Sequence, residues 1–242
     1  MVRADRTRVA RCVPWPGRTS GRAGVLALLL AATCFAQDKG PTPAQSGTPA
    51  VNVQLPVNWL YGAYIPRDAP IVPLTGKERF KLYVRQTYTT PGIYIKTGFF
   101  AVHDQVRDSP PEWGDDFSGF AKRVGSNQAT NVIQNSLTSL GQGVVGWEPR
   151  YDRCHCTGGW LRFRHAFVRN FITYDSSEQS VRPNIMPFAA AFGAGAIGAT
   201  WNPGNPTIVV KGYQSVFTQA WVGVITNSIG EFAPDLKKKF KK

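Results

Sequence analysis

Apolar residues recur at three- and four-residue steps through most of the chain after Leu74, a spacing that predicts helices rather than strands. Thr75-Gly76-Lys77-Glu78 has the order of a capping box, a hydroxyl cap followed three residues later by an acid. A helix carrying Phe80, Tyr83, Val84, Thr87 and Tyr88 should follow, until Pro91-Gly92 interrupts it. A second helix is expected from about Gly92 to Val106, with Ile95, Phe99, Val102 and Val106 on one face. Asp115-Asp116 opens a third, where acids complement the helix dipole, and Phe117, Phe120, Val124, Ile133, Leu137 and Leu140 supply its stripe. Gly141, Gly143 and Gly146 should close it. A fourth starts after Gly158-Gly159 and carries Trp160, Phe163, Phe167, Phe171 and Tyr174, with Arg162, Arg164 and Arg169 opposite.

The last two segments depart from this pattern. Phe188 to Trp201 is apolar throughout but built largely of Ala and Gly, a composition that lets helices approach closely, as they do in lipid. Thr207 to Phe232 places Gly212, Ser215, Gln219, Gly223, Thr226 and Gly230 on one small, polar face. Glycine costs up to about 1 kcal/mol per interior helical position, so these glycines imply close packing or a strand. Val216 to Val224 has enough alternation for a strand of an outer-membrane barrel, the alternative fold. Helices are favoured because the earlier segments keep the 3.6 period and Asn-Gly and Asp-Gly hairpin turns are absent. The expected fold is thus all-α, a single compact domain of five or six helices, two of them rich in glycine and alanine.

Upstream, Gly24 to Ala32 is an apolar run behind Arg3, Arg6, Arg8, Arg11, Arg18 and Arg22, ending in a small-residue site at Ala36. It is too short for the roughly 20 residues that span a bilayer and reads as a signal peptide over residues 1–36. A lipoprotein site at Cys34 fits less well, because Thr33 and Ala31 stand before it. Residues 37–73 are rich in Pro, Gly and Thr, the composition of a linker or arm, and the helical domain should occupy 74–236.

Charge refines this organisation. The chain carries a formal +13, and loss of six Arg and one Asp with the leader leaves about +8. Lys237, Lys238, Lys239, Lys241 and Lys242 account for most of that, so the body is close to neutral and lacks a basic nucleic-acid-binding surface. In an exported protein this lysine-rich tail (237–242) would face anionic envelope lipid or polysaccharide, at up to about 1 kcal/mol per Lys near a charged membrane.

Candidate chemistry is sparse. Cys154-His155-Cys156, with His165 and His103, offers a Zn or Cu site formed by Cys154, Cys156, His165 and His103. One intervening residue is a poor chelate, and in an oxidising compartment a disulfide between the two cysteines competes with it. Asp104, Asp108, Glu112, Asp115 and Asp116 match no calcium loop, and no nucleophile elbow occurs. Gly193 to Gly198 has the G-x-G-x-x-G spacing but lies in an alanine-rich run without a preceding strand, so no nucleotide site is assigned. Neither catalytic nor cofactor-binding residues can be named. Asn127, Asn131 and Asn135, with Gln128 and Gln134, form a polar ladder that either faces solvent or meets the polar face of the last helix.

Gly146-Trp147-Glu148-Pro149-Arg150-Tyr151, then Trp160-Leu161-Arg162 and His165-Ala166, and the ending Glu231 to Lys237, resemble a family of exported bacterial proteins without an assigned activity. The resemblance covers about residues 74–242 and implies a compact exported helical domain. The expectation is an exported cell-envelope protein, periplasmic or in the outer envelope, with a structural or membrane-surface role. The alternatives are an exported metal-binding or redox protein using the Cys-His-Cys cluster, and an outer-membrane β-barrel.

Overall fold

The computed structural model describes residues 55–67, 69–178, 180–204 and 206–239. The signal peptide, most of the arm, and Lys241 and Lys242 of the tail lie outside the described residues. Thr75 caps helix α1 (Gly76–Val84): its hydroxyl accepts from the Glu78 amide, and the Glu78 carboxylate accepts from the Thr75 amide at 2.8 Å. A π-helical turn, Arg85–Thr89, leads to α2 (Pro91–Val106), which begins with proline at its first position. Helix α3 (Phe117–Val145) starts on Asp116, whose side chain accepts from the Gly119 amide, and ends at Gly146, whose φ of 74° is the left-handed conformation a helix stop favours.

Helix α4 (Gly159–Phe171) is shorter than its aromatic period suggested. Ile172 to Tyr174 instead forms strand β4, paired antiparallel with β5 (Val181–Pro183). The β-branched Ile172 and Thr173 favour an extended chain here, and the Thr173 hydroxyl donates to the Glu148 carbonyl at 3.0 Å. Helix α5 (Met186–Gly198) and helix α6 (Ile208–Lys239) complete the domain, α6 running past Phe232 and through Pro234. The domain is mostly helical, with few short strands and no closed barrel; the β-barrel alternative does not describe it.

Residues expected in the arm are part of the fold. Strands β1 (Val57–Asn58) and β2 (Gly62–Ile65) form a hairpin, and β2 pairs in parallel with β3 (Tyr151–Asp152). Ala63 and Ile65 are buried, and Leu55 and Val57 pack beside Ala63, Leu74 and Leu82. The folded unit therefore starts well before Leu74, because this hairpin adds an edge to β3.

Helix α5 packs between α3 and α6, α2 packs on α3, and α4 packs on α6. Small residues permit these approaches. A Cβ on Gly195 would stand 2.2 Å from Ser215 Oγ and 2.6 Å from the Lys211 carbonyl, and one on Gly223 would stand 1.9 Å from Asn170 Oδ1.

Candidate functional site: a polar interior under an apolar surface

The amphipathic helices are turned the opposite way from those of an ordinary water-soluble domain. Phe99 on α2 is 68% exposed, Trp160 on α4 72%, and Phe217 on α6 66%, while Arg123 on α3 is 0% exposed and Glu231 on α6 1%. The α2 stripe of Ile95, Phe99, Val102 and Val106 faces outward. Tyr213, Phe217, Trp221 and Ile225, at four-residue steps, do so on α6. Large apolar side chains cover much of the outside; apart from Ile65, Leu74, Leu82 and Val224, the buried residues are Ala, Cys154, Gly and polar or charged residues.

The buried charges act as ties between elements. Arg150 grips Glu148 through two bonds of 2.7 and 2.9 Å and donates to the Val72 carbonyl at 2.8 Å. Arg169 pairs with Asp152, reaches the Ile172 carbonyl and lies 4.7 Å from the centre of the Tyr174 ring. Glu231 accepts from the Tyr151 hydroxyl at 2.8 Å and the Cys154 amide at 2.7 Å, and pairs with Arg162, which also binds Asp235. Burial, then the neighbouring Glu231 carboxylate, pushes the Tyr151 hydroxyl far above its ordinary range, so it stays protonated as a donor. Arg123 binds the Ser109, Pro110 and Gly114 carbonyls, Gln105 and Asp108, fastening the loop that precedes α3. Each of these acids and arginines is held by several partners, which suits fastening better than proton transfer.

Two cavities with both polar and apolar walls lie among the helices. The larger, about 740 Å³, is bounded by α1, α2, the second half of α3 and part of α6; the smaller, about 220 Å³, by α2, α3, α5 and α6. They share Lys96, Gln134 and Gln219, and the two glutamines are hydrogen-bonded to each other at 2.6 Å. The polar ladder on α3 thus divides between two partners. Gln134 meets the last helix, while Gln128 and Asn131 meet Thr97 of α2 at 2.7 and 3.0 Å and Asn127 meets Asp104 at 2.9 Å. Lys96 is half-buried by area and lines both cavities; burial pushes its amine down to about 8.

The proposed metal ligands are not brought together. Cys154 and Cys156 are joined in a disulfide, the competing expectation for this pair. The His165 Nε2 atom lies 2.9 Å from the Asp152 carbonyl oxygen, and His103 sits on α2 beside Asp104. Among the described residues, no group of three or more His, Cys, Asp or Glu could hold a metal ion. Lys237, Lys238 and Lys239 fall on the last turns of α6. Sequence reasoning missed Lys96, whose signal was a single cation inside the apolar run Ile93 to Phe100. It also missed Glu148 and Glu231, which have no periodic signature.

No family model, no curated protein and no solved structure matches this chain.

Proposed function

We propose that this is an exported envelope protein with a non-catalytic, structural role, held at a lipid surface by the apolar outer faces of its helices. The observation that carries the reading is the inverted polarity: Phe99, Trp160, Phe217 and Trp221 point outward while Arg123, Glu148 and Glu231 are enclosed. Exposed large apolar side chains are spread over α2, α4 and α6, whereas a soluble monomer ordinarily leaves contiguous apolar patches of only a few hundred Å² open. A single self-association patch would cover one face; lipid covers several. Close packing through Gly195, Gly212 and Gly223 fits helices that cannot rely on water to drive them together.

No helix of the described residues is long and apolar enough to cross a membrane, and the proposed mode is lateral docking into the interfacial layer. Tryptophans such as Trp160, Trp201 and Trp221 suit that depth, and the expected lysine tail would rest on anionic headgroups. The test is flotation of residues 37–242 with vesicles of phosphatidylethanolamine and phosphatidylglycerol. The chain should rise with the vesicles, more strongly with a larger anionic fraction. A monodisperse, detergent-free chain that stays at the bottom of the gradient, as monomer or as closed oligomer, overturns the proposal.

A further inference from the structure

The two cavities share one cation that no side chain of the described residues neutralises. Lys96 makes no hydrogen bond or ion pair there, and burial is the sole cause of its lowered pKa, with no carboxylate contributing. The other charges facing the larger cavity are already committed. Arg79 donates to the Trp147 carbonyl at 2.7 Å and to Ser176, Glu148 and Arg150 hold each other, and Arg169 holds Asp152. Two tyrosine hydroxyls also line it, one bonded to Ser136 and the other to Glu231. Around the smaller cavity, Arg123 is held by its loop and by Asp108, Lys211 on α6 adds a second half-buried lysine, and the Asp104 carboxylate, bonded to Asn127, is the acid on a wall that stays net positive. Neutral donors complete the wall: the Gln134 and Gln219 amides and the Ser215 hydroxyl.

A partly buried ammonium with no hydrogen-bond or ion-pair partner is costly, and a mobile anion lowers that cost while using the amide and hydroxyl donors. We propose that the smaller cavity is a binding site for a small oxyanion, phosphate-like or carboxylate-bearing, held by Lys96 with Lys211 on the same wall. Its size of about 220 Å³ suits such an ion with a few waters and excludes a nucleotide. Lys96 is the binding cation, and Gln134 and Gln219, bonded to each other, stand with it on the wall that the two cavities share.

This inference does not rest on docking to lipid, and calorimetry on the solubilised chain can fail independently of vesicle flotation. Titration of residues 37–242 with inorganic phosphate near neutral pH should show saturable binding, and K96M should weaken it at least about tenfold. Sulfate, whose charge is constant, serves for the pH series: affinity should fall as pH rises through about 8. K96R should retain binding and lose that pH dependence, because arginine stays charged; a merely structural Lys96 would not transfer the effect this way. Equal affinity in K96M and the unaltered chain, or no saturation up to tens of millimolar, overturns the proposal. If K96M does not fold, the sulfate series on the unaltered chain decides, and flat affinity across that range overturns it.

Discussion

Glu148 illustrates what a buried charge costs and contributes. It is 2% exposed, and Arg150 supplies both oxygens with donors, so removing the guanidinium strands an anion in the interior. Arg150→Met is expected to lower stability by about 3–5 kcal/mol, measured by urea denaturation, whereas adding Glu148→Gln should recover part of the loss. Lys96 gives the opposite signature. Its folded pKa of about 8 lies below the value of 10.5 for a free lysine, so between those limits the unfolded chain binds more protons and stability rises with pH. Denaturation midpoints compared near pH 8 and near pH 10 should show this rise in the unaltered chain and a smaller one in Lys96→Met. Neither residue stood out in the sequence as a pair or a site, because burial is set by neighbours far along the chain.

At the scale of elements, helix ends and helix period were the most legible features. The Thr75-Glu78 box, Pro91, Asp116 and Gly146 all lie where α1, α2 and α3 start or stop, since caps act through backbone groups a few residues away. Local rules failed at Tyr174, where a tertiary bond from Thr173 to Glu148 favoured a strand over another helical turn. They also could not tell that residues 57–65 would pair with Tyr151-Asp152, about ninety residues on. The glycines of α5 and α6 were read correctly as permitting close approach. Gly195→Ala should therefore destabilise by about 1–3 kcal/mol, since its Cβ would meet Ser215 Oγ at 2.2 Å. Gly125→Ala and Gly143→Ala, with open space around them on α3, should instead stabilise by up to about 1 kcal/mol, and thermal unfolding of the three variants separates the cases.

For the molecule as a whole, the outward-facing aromatic rings are what the proposed lipid-surface role rests on. Each large side chain that leaves water for an apolar phase contributes roughly 1.5–3 kcal/mol when fully transferred. Replacing Phe99 and Phe217 by Ser should therefore reduce vesicle partitioning at least about tenfold in a sedimentation assay, with the circular dichroism spectrum unchanged, because neither side chain is buried. By itself the sequence determined the helical class, most helix boundaries, and the small-residue faces of α5 and α6. These follow from interactions within a few residues and from side-chain size. It also raised the expectation of export and a cationic tail, from residues that lie largely outside the described fold. Only the tertiary structure decided which side of each helix faces inward. An amphipathic stripe has the same period whether it meets a core or the surroundings, and the choice was made here by the buried partners of Arg123, Arg150, Arg169 and Glu231.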